Sequence, residues 1–511
     1  MILKLPLSSL LLCLALWCAF PAGVGAATDS GSLKIDSYLQ RAQEQITEFT
    51  LDNGLKFIVM NNPDAPVVSF YTYANVGGVD EPDGKTGVAH FLEHMAFKGT
   101  RTIGTTDYNQ EAKLLAEIDR VGAQLQAARR GGQSDRLENL EKQLEQLQEQ
   151  AGQYIKGNEF GQIVQESGGV GMNAATAADS TVYFYSLPAN KLELWMSLES
   201  ERFLEPVFRE FYKEQQVILE ERRLRTDNNP MGQMVEAFLD QAFQVHPYKR
   251  PVIGYDSDIR NLQRQDISEF FERYYGPNNL TVAIVGNVDP QEVKRLAQIY
   301  FGRFPRKSPV PRLTLVEPPQ KETREVTLAL KSQPWYLEGY HRPNLQSPDN
   351  AVYNVLATLM SSGRTARLYK SLVEEQQVAL FAQGFNGFPG NKYPNLIVFY
   401  AQVSPQGSLE EVAAALAKEI DRLQTEPVSP QELERAKTLL QAGLLRSLDA
   451  NKGLAELLAT YEVKTGDWRN LFRELEAIAA VTPQDIQRVA IKTFRPENRT
   501  IGRIVPRFEG Q

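Results

Sequence analysis

Gln265-Asp266-Ile267, followed by Tyr275, Pro277, Asn279 and Thr281, returns 219 residues later as Gln484-Asp485-Ile486, followed by Phe494, Pro496, Asn498 and Thr500. Like residues repeated at one offset indicate a duplicated unit, each copy ending in a helix, a turn and a strand. In the first copy the strand is Leu280-Thr281-Val282-Ala283-Ile284-Val285. The alternative is a common helix-to-strand connection that arose twice. Between the copies, Pro305, Pro309, Pro311, Pro318 and Pro319 lie among scattered charges and mark a linker.

Both halves mix strand and helix patterns. Phe49 to Leu51 and Leu55 to Asn61 flank an Asp52-Asn53-Gly54 turn and read as a hairpin. Val67 to Ala74, Glu325 to Leu330 and Trp335 to Tyr340 read as strands, and Val352 to Met360 and Leu409 to Leu423 as helices. Leu114, Ile118, Val121, Leu125 and Ala128 form one heptad-like row, and Leu137, Leu140, Leu144 and Leu147 another, on either side of Gly131-Gly132. That pattern predicts an antiparallel helical hairpin over 110–155, either a solvated decoration packing on itself or a docking arm. The expected fold class is α+β: two similar duplicated domains, each a mainly antiparallel sheet with helices, plus the hairpin insert. Its expected parts are an N-terminal domain (45–305), a linker (306–320) and a C-terminal domain (321–511).

At 511 residues the chain exceeds one core. Residues 1–26 read as a signal peptide: Lys4, an apolar run from Leu5 to Phe20, Pro21, then small residues up to a cleavage site near Ala26. The alternative, a membrane anchor, suffers from a short run without a stop-transfer flank. Cys13 and Cys18 both fall in this segment, with Leu12 and Trp17 before them where a lipoprotein site needs a small residue. The mature chain would thus lack disulfides and thiol ligands, and any metal must use His and carboxylates. Loss of Lys4 takes the net charge from −8 to −9. Such an acidic chain is a poor nucleic-acid binder, and no stable membrane span is expected after cleavage. The expected location is periplasmic or secreted.

Two of the four histidines lie in His90-Phe91-Leu92-Glu93-His94. On a helix the imidazoles share a face and Glu93 lies beside them, a pattern that suits catalytic zinc. The longer run Gly84-Lys85-Thr86-Gly87-Val88-Ala89-His90-Phe91-Leu92-Glu93-His94-Met95-Ala96-Phe97-Lys98-Gly99-Thr100 closely resembles the pitrilysin-type zinc peptidases. That resemblance implies Zn2+ held by His90 and His94, Glu93 as general base, and a fold of two similar domains forming half of a closed chamber. Glu214 to Glu221 resembles the family's second motif, which implies Glu221 as third zinc ligand and Glu214 as its supporting residue. Glu220 is the neighbouring competitor, pointing about 100° away on a helix. Gly171 to Thr176, followed by Thr181-Val182-Tyr183, resembles the strand that pairs with extended peptide substrates, which implies that Asn173 and Ala174 bind substrate backbone. The alternative for Asn173 is a turn residue.

One departure stands out. Members with a complete site carry an Arg and a Tyr seven apart in the second domain, where this chain has Val373 and Leu380. Arg364, Arg367 and Tyr369 are near but lack the spacing. The departure implies a related subunit supplying Arg and Tyr in a heterodimer, a weakly active homodimer, or donors displaced elsewhere. The leading expectation is a zinc metalloendopeptidase acting on peptides or small unfolded proteins. Its rivals are a non-catalytic scaffold and a peptide-binding chaperone of the same fold.

Overall fold

The computed structural model describes residues 44–507. The expected signal peptide, 1–26, lies outside them. The first sheet contains β1 (Ile46–Thr50), β2 (Lys56–Asn61), β3 (Val67–Ala74), β4 (Val170–Thr176), β5 (Thr181–Pro188) and β6 (Leu280–Gly286), in the order β1-β2-β6-β3-β5-β4. The second contains β7 (Arg324–Leu330), β8 (Trp335–Arg342), β9 (Ala379–Phe388), β10 (Asn395–Val403) and β11 (Arg499–Pro506), in the order β7-β11-β8-β10-β9. Their topologies match. In each, the last strand enters between the earlier ones, parallel to one neighbour (β6 to β2, β11 to β7) and antiparallel to the other (β3, β8). All remaining pairings are antiparallel.

The repeated residues explain the repeated structure. Asp266 and Asp485 accept the backbone N–H of Gln263 and Thr482, at 2.7 and 3.1 Å, and start helices Arg264–Tyr274 and Pro483–Thr493. Pro277 and Pro496 open the 3-10 turns that follow. Asn279 then ties its turn to the carbonyls of Tyr274 (2.8 Å) and Asn75 (3.3 Å), and Asn498 does the same to Thr493 and His341 (both 2.9 Å). Each Asn thereby pins the start of the inserted strand beside its antiparallel neighbour. The first copy does not end at its strand, as expected, but continues into helix Pro290–Tyr300.

The two halves exchange helices. Helix Pro230–Ala242, from the first half, packs on β7 and β11, while helix Asn451–Thr465, from the second, packs on β3 and β6. Gly339 in β8 makes the first contact possible, because a Cβ there would stand 2.8 Å from the Phe238 ring. Leu454, Leu458 and Trp468 cover Tyr71, Tyr73 and Val285 in return. The linker segment is fastened as well: the Glu317 carboxylate accepts the N–H groups of Gln244, Val245 and His246 at 2.7, 3.0 and 2.9 Å.

Helices Tyr108–Arg130 and Ser134–Gly152 form an antiparallel pair around Gly131–Gln133. Leu115, Ile118, Val121, Leu125 and Ala128 are buried with Leu140 and Leu144; Leu114, Leu137 and Leu147 are only partly covered. The leucines pack mainly on one another, as expected, and the hairpin is also tied to the first domain. Glu111, 0% exposed, pairs with buried Arg209 at 2.7 Å, and Asp119 accepts from Arg264 at 2.8 Å. Gly122 lies against Tyr212 so closely that no side chain fits between them. The hairpin is docked on the first domain through charged residues that its heptad pattern hides.

Candidate metal centre

Helix Val88–Met95 starts at Gly87, whose φ of 87° and distance of 2.5 Å from a would-be Cβ to the Ile253 carbonyl admit only glycine without strain. Glu81 caps this helix from outside, accepting the N–H groups of Gly87 and Ala89 at 2.9 Å each. Val88, Phe91, Leu92 and Met95 enter the core. His90 and His94 lie on the other side, ring centroids 4.7 Å apart. Phe91 stacks on Phe211 at 4.6 Å, which aligns this helix with Phe211–Arg222, the helix that carries Glu214 and Glu221.

Ligand atoms of His90, His94 and Glu221 lie within 4.8 Å of one another. Nε2 of His90 is 3.8 Å from Oε1 of Glu221, and Nε2 of His94 is 3.5 Å from Oε2. Nδ1 of His94 faces Oε1 of Glu214 at 2.9 Å, which leaves Nε2 for a metal. Glu220 points elsewhere and pairs with Arg223 in solvent. Two imidazoles and one carboxylate suit zinc and leave a fourth position open. His246 and His341 lie away from this cluster: His246 accepts the Tyr248 N–H at 3.2 Å, and His341 bonds the Ala242 carbonyl at 2.9 Å.

The electrostatics suit a cation. Burial pushes the His90 imidazole well below its ordinary value, which favours the neutral form that a ligand needs. Burial would raise Glu214, but bonds from His94 and Lys98 outweigh it and bring its carboxyl down to about 2. Lys98 bridges Glu214 at 2.6 Å and Glu210 at 3.2 Å. Glu93 is held above the ordinary carboxylate range by burial, against a 2.6 Å hydrogen bond donated by the Thr176 hydroxyl.

Thr176 ends β4, an edge strand whose one described neighbour is β5. Asn173 and Ala174 lie on the same strand, Asn173 exposed and Ala174 buried. Lys98, Thr176 and Arg225 were not singled out in the sequence, although Lys98 stands one helical turn beyond His94 and Thr176 falls inside the quoted strand. In the second domain, Val373 packs against the core and Leu380 is 54% exposed at the start of β9. Arg367 is committed to Glu432 at 2.7 and 3.0 Å.

Residues 56–133 and 144–256 match the insulinase (peptidase family M16) model, and residues 261–440 match the peptidase M16 inactive domain. The chain belongs to the M16 peptidase family. Among M16 relatives, the zinc protease PqqE of Helicobacter pylori is 26% identical over 485 residues, 93% of this chain and 95% of that one. An uncharacterized zinc protease of Mycobacterium leprae is 25% identical over 86% of this chain and 87% of its own. The crystal structure of a protease from Helicobacter pylori superposes with a TM-score of 0.77 at 26% identity, covering 90% of this chain and 99% of that one. The periplasmic protease PqqL of Escherichia coli shares the fold, with a TM-score of 0.68 at 18% identity over 90% of this chain and 48% of its own. No helix among the described residues is long and apolar enough to cross a membrane.

Proposed function

We propose that this chain is a zinc-dependent endopeptidase acting on peptides or small unfolded proteins, with His90, His94 and Glu221 as ligands and Glu93 as general base. The observation that carries the proposal is the convergence of those three ligands within 4.8 Å, with Glu93 on the same helix. Bound zinc would polarise the scissile carbonyl and acidify a water. Glu93 takes the proton from the attacking water and returns it to the leaving amine. Thr176 holds the Glu93 carboxylate through its hydroxyl, and Glu214 fixes the His94 tautomer. β4, with Asn173 and Ala174, is an edge strand among the described residues, and an extended peptide would add to it as a further strand, which selects backbone over sequence.

The chain supplies no side-chain donor at positions 373 and 380, so the proposal includes a second, related subunit that brings Arg and Tyr to the site; a weakly active homodimer is the fallback. The leader-like residues 1–26 and the periplasmic location of the PqqL relative support a periplasmic or secreted enzyme. The reading places the division between the domains at 306–320. Zinc content separates the assignments: His90→Ala, His94→Ala and Glu221→Gln should lose the metal and Glu220→Gln should keep it. Retention of zinc by Glu221→Gln with loss in Glu220→Gln would reverse the ligand assignment.

A further inference from the structure

Glu221 is held by a second group from its own segment. The α-helix Phe211–Arg222 gives way at Arg223–Asp227 to a π-helical turn. Such turns are rare and gather at functional sites. This one carries Arg225, whose Nη1 lies 2.6 Å from Oε1 of Glu221. The turn is braced from helix Pro230–Ala242. A Cβ on Gly232 would stand 2.1 Å from the Arg225 carbonyl oxygen, so the two segments touch backbone to backbone. Arg222 reaches Glu236 of that helix at 3.0 and 3.2 Å and the Gly254 carbonyl at 2.6 Å. Asn229 caps the helix through the N–H groups of Met231 and Gly232. Because the helix packs on β7 and β11, the position of Arg225 depends on contact with the second domain.

We propose that Arg225 is a positioning residue for the metal centre: its guanidinium fixes the Glu221 carboxylate toward His90 and His94, and the π-helical turn, braced at Gly232, places it there. The inference rests on the zinc reading of the site. A ligand carboxylate left free must be ordered when metal binds, and an outer ion pair that holds it lowers that cost; losing such an outer partner typically lowers metal affinity about 10- to 100-fold. Repulsion between guanidinium and a divalent cation acts the other way. The Arg225 side chain is 45% exposed, so water and salt screen the repulsion, while the guanidinium still lies against one carboxylate oxygen of Glu221 as an ion pair.

The test is the zinc dissociation constant of the full chain, by competition with a chromophoric chelator, for wild type, Arg225→Gln, Arg225→Lys, Gly232→Ala and His90→Ala, with metal-free melting temperatures alongside. Arg225→Gln should bind zinc about 10- to 100-fold more weakly with an unchanged melting temperature. Arg225→Lys, which keeps a charged donor, should recover part of that loss. Gly232→Ala keeps the guanidinium but displaces the turn, and should weaken zinc in the same direction. Zinc bound by Arg225→Gln as tightly as by wild type, or more tightly, overturns the proposal. A wild-type chain that binds no zinc, or a His90→Ala variant that binds it undiminished, overturns the zinc reading and this inference with it.

Discussion

Glu93 receives its hydrogen bond from Thr176, on the strand proposed to pair with substrate, so the base and the peptide are aligned by one element. Thr176→Val removes the donor and keeps the shape. Hydrogen bonds to charged groups contribute about 1.5–3 kcal/mol, so kcat should fall roughly tenfold or more while zinc content and KM stay near wild type, and Thr176→Ser should restore most of the rate. An unchanged kcat in Thr176→Val would remove Thr176 from the site. Glu81 has a different role. Burial pushes its carboxyl up to about 8, against the opposing N–H groups of Ala89 and Gly87. The folded chain therefore holds this proton more tightly than the unfolded chain. The stability it confers is full below the ordinary value of 4.5 and is lost as pH rises toward 8. Melting curves of Glu81→Gln should fall less steeply than wild type between about pH 5 and about pH 8; parallel curves would contradict this.

At the scale of elements, the helical hairpin is the part most open to test. Arg209 donates to Glu111 and to the carbonyls of Thr100 and Ile103, which joins the hairpin base to the loop that follows the histidine helix. Glu111→Ala would leave a buried guanidinium without its counter-charge, and such a loss typically costs about 3–5 kcal/mol. Chemical denaturation should register it. Destabilisation below about 1 kcal/mol would mean that the hairpin is the separable decoration its leucines suggest. Strands β2, β3, β7 and β8 were legible because alternation is a local signal, and the repeat helices because like residues recur at one offset. The buried role of Glu111 was not, because a charged residue on a heptad helix reads as solvated, and only the partner at Arg209, far along the chain, reverses that. The same reason hid the exchange of helices Pro230–Ala242 and Asn451–Thr465: the sheet that each covers belongs to the other half of the chain. At the site, the grouping of His90 with His94 follows from their spacing on one helix, and that of Glu221 with them was reached only through the resemblance of its segment to the family's second motif. Thr176 and Arg225 were not legible, since an ordinary threonine or arginine carries no pattern until the fold brings it to a carboxylate.

Across the whole molecule, Asp179 joins the two domains. Fully buried, it pairs with Lys464 at 2.8 Å and accepts from Tyr248 at 2.7 Å and from the N–H groups of Asn391 and Lys392 at 2.9 Å each. It lies in the turn between β4 and β5, so the proposed substrate edge is fixed against the second domain. That domain offers Val373 and Leu380 where donors to a developing oxyanion are expected. One such donor is typically worth about 10² to 10³ in rate. The isolated chain should therefore hydrolyse unfolded peptides slowly, and a co-purifying related subunit should raise the rate by at least that factor; full activity without it would refute the split site. The central claim, a zinc peptidase with Glu93 as its base, is tested most directly by measuring zinc content and peptide hydrolysis on the same preparation of Glu93→Gln beside wild type, with any partner subunit present. Zinc should equal wild type and hydrolysis should be lower by about 10² to 10⁴. Near-normal hydrolysis by the zinc-loaded variant would contradict the claim.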